Sequence, residues 1–237
     1  MMLAAMSLLN NLSQINIPGI LITVLVLTIS LSFHEMAHAW VAYRLGDDTA
    51  SLQGRLTMNP LAHLDPIGTL MFLFAGIGWA KPVPINPARF THRISLKKGI
   101  MLTSLAGPVA NLILAAVASV LHALTVLTAA KIGDSTVISL LESLFVFLYS
   151  ANSALAVFNL LPVPPLDGYK IFGAVLPNSL YYKVMGFERY IGMIFLILVL
   201  FGGRFLGIIL QVVRIPFDLV IWTPVHLLAQ WLLQMMS

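Results

Sequence analysis

The sequence predicts an all-α polytopic membrane protein, with about five to six transmembrane helices and a re-entrant, β-like loop segment near a polar site. Three observations carry this prediction. Only 9% of the 237 residues are charged and 59% are hydrophobic, whereas soluble domains carry about 25% charged residues. Several apolar runs reach the ~20 residues that a bilayer-spanning helix needs. Finally, the basic residues gather in one connecting region instead of spreading along the chain.

The elements follow in order. Residues 1–16 (MMLAAMSLLNNLSQIN) hold no Lys or Arg and no clear small-residue cleavage site. They read as a retained amphipathic or interfacial lead-in, not as a signal peptide. Spanning runs are Ile17 to Leu45, Ile100 to Ala130 and Val137 to Leu161, with two more between Val184 and Leu228, divided at Gly202-Gly203-Arg204. The shorter run Ile67 to Ala80 is broken by Gly68, Gly76 and Gly78. Seven of the thirteen Lys and Arg residues (Arg44, Arg55, Lys81, Arg89, Arg93, Lys97 and Lys98) fall between the first two long runs. The positive-inside rule makes that region cytoplasmic. Both flanks of Ile67–Ala80 then lie on one side, so the run enters the membrane and returns. Non-helical backbone at that depth is tolerated where it is buried in protein or lines a wet cavity, and the prolines of "GIGWAKPVPINP" suit it.

The whole chain, 1–237, reads as one transmembrane domain, with a core over 17–175 and C-terminal helices over 180–237. Its surroundings are then the lipid bilayer. The formal charge of +4 reports topology, not nucleic-acid binding. With no cysteine present, disulfides and thiolate ligands are excluded, and any metal must be held by His, Asp or Glu.

Inside the first run lies "HEMAH", residues 34–38. On a helix, His34 and His38 stack on one face a turn apart. Two imidazoles so placed can reach one zinc ion at about 2.0–2.1 Å. Glu35 adjoins the first histidine, as the H-E-x-x-H pattern requires of a general base in a metal hydrolase. The bland alternative is a polar cluster bonding helix to helix, but ionisable groups in hydrocarbon usually mark function. A catalytic zinc needs a third protein ligand and keeps one open position. Asp167, in "NLLPVPPLDGYKIF", is the best candidate: the prolines prevent helix and Gly168 lets the chain turn the carboxylate inward. The run from Ile100 crosses outward and the run from Val137 crosses back, so Asp167 arrives on the cytoplasmic side with the histidines. Its alternative is a simple Asp-Gly turn residue.

"HEMAH", "AGPVAN" and "NLLPVPPLDG", in this order on three successive spans, resemble the site-2 protease family of intramembrane zinc metalloproteases, in the short form without a PDZ domain. The likeness covers roughly residues 20–175. It implies that His34, His38 and Asp167 hold Zn2+ and that Glu35 is the catalytic base. It further implies a multi-pass enzyme, in the cell membrane if the source is prokaryotic, that cuts in or near transmembrane segments of other proteins in regulated intramembrane proteolysis. Two other readings compete: a metal-ion carrier, and an inactive scaffold that retains its zinc site.

Other polar residues are ambiguous. Asn111 could bond substrate backbone or a developing oxyanion, or simply another helix. Asn159 could orient a peptide near the metal or be structural. His63 is either a further ligand or part of a turn-rich scaffold with Asn59-Pro60 and Asp65-Pro66. Lys81 and Arg89 read as topology determinants, and Arg214 and Asp218, four apart, as a helix pair. His122 and His226 lack ligand spacing.

Overall fold

The structure, a computed structural model, describes residues 17–68, 80–91, 94–201 and 203–236. Its helices are α1 (Ile17–Arg44), a one-turn α2 (Thr49–Leu52), α3 (Leu96–Ile132), α4 (Thr136–Asn159), α5 (Asp167–Val175), α6 (Asn178–Gly186), α7 (Glu188–Phe201), α8 (Gly203–Phe217) and α9 (Thr223–Met236). A π-helical turn, Asp218–Trp222, joins α8 to α9. Among the described residues there is no strand, only an isolated antiparallel bridge between Leu64 and Ala80. The fold is all-α, as the sequence predicts.

Four helices among the described residues are long and apolar enough to cross a membrane: α1, α3, α4 and the stretch Leu210–Met235. Gly202, in the expected division at Gly202-Gly203-Arg204, lies outside the described residues, and helix is described on either side of it. The chain is an integral membrane protein. The lead-in 1–16 and most of the re-entrant run Ile67–Ala80 lie outside the described residues. The ends of that run do meet: besides the Leu64–Ala80 bridge, the Lys81 N–H donates to the His63 carbonyl at 2.8 Å.

Helices α1, α3 and α4 form the centre. Val26 packs with Ala115, Ala118, Leu148 and Tyr149, while towards the other end His38 meets Thr103 and Asn111 meets Asn152. The contacts run antiparallel between α1 and α3 and between α3 and α4. Lipid is as apolar as leucine, so helices associate here by close packing of small residues. Ala39, Ala42, Ala115, Ala118 and Ala156 are accordingly fully enclosed, while Leu21, Leu25, Ile113 and Leu124 face outward. Ser95 and Ser135 cap α3 and α4 at their N-termini.

The non-helical segment Lys81–Asn86 is pinned along the C-terminal part of α1. Arg55, itself buried, donates from Nη2 to the carbonyls of Lys81 (2.5 Å) and Pro82 (3.2 Å). Asp47, fully buried, accepts from the Asn86 N–H at 2.6 Å through one oxygen and from the Thr49 N–H at 3.0 Å through the other. Val83 packs on Ala39 and Ala50. Pro82 and Pro84 offer no N–H to a ladder, so side chains supply the bonds that a sheet would have given. These contacts hold the segment against the helix that carries the histidines.

Candidate metal centre

His34 and His38 lie one turn apart on the buried face of α1, with ring centroids 4.6 Å apart and planes nearly perpendicular. Asp167 opens α5, its carboxylate in the first helical turn, where the helix dipole favours negative charge. Its Oδ2 is 3.2 Å from the Nε2 of each histidine, and the two Nε2 atoms are 3.0 Å apart. Residues 133 positions apart in sequence thus converge on one point, and this is the one group among the described residues whose His and carboxylate atoms could hold a metal ion.

The orientation of each ring is fixed by bonds that trace back to the main chain. Asn152 Nδ2 points at the Leu148 carbonyl at 2.8 Å, and that carbonyl can only accept. Asn152 Oδ1 therefore faces Asn111 Nδ2, at 2.7 Å. Asn111 Oδ1 is then left facing His34 Nδ1, at 2.6 Å, so His34 carries its proton on Nδ1. His38 Nδ1 meets the Thr103 carbonyl at 2.7 Å and must donate as well. A neutral imidazole with Nδ1 protonated bears a lone pair on Nε2. Two lone pairs and a carboxylate oxygen therefore face each other inside the protein.

That arrangement needs a positive charge at its centre. Asp167 Oδ2 is buried without a hydrogen-bond partner among the described residues, an orphan that a cation would satisfy. The space is kept open by Gly107 of α3: a Cβ there would lie 2.5 Å from His34 Cε1 and from His38 Nε2. Two nitrogens and one oxygen around a gap form the donor set of a catalytic zinc site with an open position. The residues present fit the metal.

Glu35 points elsewhere. Its Oε2 accepts the Val83 N–H at 3.0 Å, so the pinned segment Lys81–Asn86 holds the carboxylate. The expected base stands next to the expected ligands without being one of them.

Asn111 is fully buried and spends its amide on His34, Asn152 and the Ser30 carbonyl, the last at 3.4 Å. That places it behind the ring, as an outer partner that orients His34. Asn159 ends α4 and donates from Nδ2 to its own Leu155 carbonyl at 3.0 Å. His63 is buried apart from the triad, with Nε2 on the Thr57 carbonyl at 2.8 Å. Arg214 and Asp218 do pair, at 3.0 Å, and Tyr149 joins them through its hydroxyl at 2.5 Å. Arg89 pairs with Asp48.

Sequence reasoning missed Asn152, the Thr103 carbonyl and the Val83 N–H. The last two are main-chain groups, which carry no sequence signal at all. It also missed that His122 and His226, 104 residues apart, bond each other at 2.8 Å. Asn111→Leu is expected to lower metal affinity 10- to 100-fold, the usual loss when an outer partner of a ligating histidine is removed. A metal titration of the purified variant measures this, and an unchanged affinity would show that α1 packing alone orients the ring.

The sequence pattern of peptidase family M50 matches residues 119–201, a stretch that includes Asp167 and Asn152. The chain is 44% identical over 181 residues to "Putative zinc metalloprotease YwhC" of Bacillus subtilis (strain 168), covering 74% of this chain and 78% of that protein. It is 34% identical over 154 residues to "Putative zinc metalloprotease Rip2" of Mycolicibacterium smegmatis, covering 63% of this chain and 54% of the relative. To the protein of that name from Mycobacterium tuberculosis (strain Erdman) it is 32% identical over 145 residues, covering 60% and 52%. The chain thus spans about half the length of the mycobacterial relatives. No solved structure matches it.

Proposed function

The chain belongs to peptidase family M50, the site-2 protease family, and from that premise we propose that it is a zinc-dependent endopeptidase acting within the membrane. It hydrolyses peptide bonds in or near transmembrane segments of other membrane proteins, in regulated intramembrane proteolysis. One observation carries the reading: the His34, His38 and Asp167 donor atoms converge on one gap, while Glu35, next in sequence to His34, is held by a hydrogen bond from the Val83 N–H.

In this mechanism each side chain has one task. His34, His38 and Asp167 would hold the zinc. Bound there, zinc supplies Lewis acidity, which polarises a peptide carbonyl and makes water acidic near neutral pH. Glu35 takes the proton from the attacking water on its carboxylate and returns it to the departing amine. The Val83 N–H keeps that carboxylate aimed. Asn111 and the Thr103 carbonyl keep both imidazoles in the metal-binding tautomer.

Depth supports an intramembrane reading. His38 and His34 lie six and ten residues before Arg44, the end of α1, which is about 9 and 15 Å along the axis. The basic residues Arg44, Arg55, Lys81, Arg89, Lys97 and Lys98 lie towards that same end, which favours a site near the cytoplasmic face. A substrate helix hides its amides in its own hydrogen bonds and must unwind before cleavage. In this reading the segment Lys81–Asn86, whose Val83 and Asn86 N–H groups are already taken by Glu35 and Asp47, would pair with the unwound strand by edge addition through its remaining main-chain groups.

The test is zinc analysis of the purified wild type and of His34→Ala, together with cleavage of a panel of single-span membrane proteins. The expected result is about one zinc per wild-type chain, loss of zinc in the variant, and cleavage by the wild type alone. Wild-type protein without zinc, or cleavage retained by His34→Ala, would overturn the reading.

A further inference from the structure

Basic residues that set topology work from water or from the headgroup layer. Arg44, Lys81 and Arg89 are exposed accordingly. Arg55 is not: only 4% of it is accessible. Arginine is almost never fully buried unless paired. The ion pairs among the described residues engage Asp48, Asp167 and Asp218, none of them with Arg55. Local sequence directs it. Gly54 follows α2 with φ +67°, a left-handed conformation that glycine adopts freely. The Gly54 N–H donates to the Ser51 carbonyl at 3.0 Å and the Arg55 N–H to the Ala50 carbonyl at 2.8 Å, the two bonds of a Schellman cap.

The side chain that leaves this cap meets main chain. Its Nη2 donates to the carbonyls of Lys81 at 2.5 Å and Pro82 at 3.2 Å. The Pro82 carbonyl and the Val83 N–H are the two ends of one peptide group. Arg55 therefore holds the carbonyl end of the group whose N–H end donates to Glu35 at 3.0 Å. In a trans peptide the C=O and N–H point in opposite directions, so Arg55 and Glu35 grip the group from opposite sides. The flanking chain is already stiff. Pro82 has a fixed φ, Pro84 confines Val83 to extended backbone, and Val83 packs on Ala39 and Ala50. The rotation of the peptide group about the chain is left to its two hydrogen bonds.

We propose that Arg55 is a positioning residue for the general base: by clamping the Pro82–Val83 peptide group, it sets the direction in which that group's N–H holds Glu35. The assignment rests on the endopeptidase reading above. The guanidinium also polarises the peptide, but one bond in such a chain strengthens the next by only about 10–30%, so orientation is the larger part. A general base must lie within hydrogen-bond reach of the proton it takes, and a carboxylate free to swing spends little of its time there.

Two measurements on the full chain test the proposal. In protein labelled with 15N-valine, the Val83 amide is identified by its loss in Val83→Ile. Glu35→Gln and Arg55→Met should each move its proton resonance upfield, as a weakened hydrogen bond does. Arg89→Met, which loses the exposed pair with Asp48, should leave it in place. In the second measurement, Arg55→Met should retain zinc, keep KM within about twofold, and lower kcat about 10- to 100-fold, a part of the 10²- to 10⁴-fold that a positioned base contributes. Arg55→Lys, whose ammonium can still bond one carbonyl, should fall between Arg55→Met and wild type in both readings. An unmoved Val83 resonance in Arg55→Met, an unchanged kcat, or a rise in KM in place of the fall in kcat overturns the role of Arg55 and leaves the endopeptidase standing. If Arg55→Met does not fold, the same readings are taken on Arg55→Lys, and wild-type values there overturn the role. A wild type that cleaves no membrane substrate overturns both.

Discussion

Glu35→Gln is expected to reduce cleavage by at least 10²- to 10⁴-fold, the contribution of a positioned general base, while zinc content stays at the wild-type level. Glutamine has the shape of glutamate, and its amide oxygen can still accept the Val83 N–H that Glu35 now accepts. The three converging donors are His34, His38 and Asp167, so none of them changes. What the variant loses is a group able to take a proton. Metal analysis and cleavage rates on the same preparation decide the matter. Cleavage within tenfold of wild type would show that another group acts as base. Loss of zinc would show that Glu35 belongs to the ligand set, and the division of labour argued above would be wrong.

Gly107→Ala separates helix stability from site geometry. Alanine favours the helix interior over glycine by up to about 1 kcal/mol, so α3 on its own should gain. The new methyl, however, would sit 2.5 Å from atoms of both imidazoles, which is inside van der Waals contact. The rings must shift by a substantial part of an ångström, and a misplacement of that order costs roughly 100-fold in rate. The expected result is a variant that folds with a thermal midpoint near wild type but binds zinc poorly and cleaves at least ~100-fold more slowly. Gly207→Ala is the control, because a Cβ there meets nothing within 4 Å and should leave both properties intact. Full zinc occupancy in Gly107→Ala would mean that the rings have room to move and that Gly107 serves only helix packing.

Much of this molecule was legible in its sequence because the signals were local. Membrane residence follows from composition, and three of the spans follow from uninterrupted apolar length. The pairing of His34 with His38, like that of Arg214 with Asp218, follows from helical periodicity, which places residues four apart on one face. Even the arrival of Asp167 at the histidines was readable, since counting crossings from the basic cluster puts it at the right end of the fold. The final region was harder, because hydropathy alone does not say where a long apolar stretch breaks.

The roles of Asn111 and Thr103 belonged to tertiary structure. Sequence left Asn111 open between substrate and helix contact. The antiparallel register of α1, α3 and α4 settled its surroundings by facing it with His34, Ser30 and Asn152 at once. The carbonyl of Thr103 and the N–H of Val83 act through atoms that every residue possesses, so no residue type could have announced them. A spacing of three or four residues fixes what lies on one face of one helix. Which faces then meet, and at what height, depends on the packing of small side chains between helices far apart in the chain, and it is that packing which tells a metal-binding triad from three polar residues in a membrane.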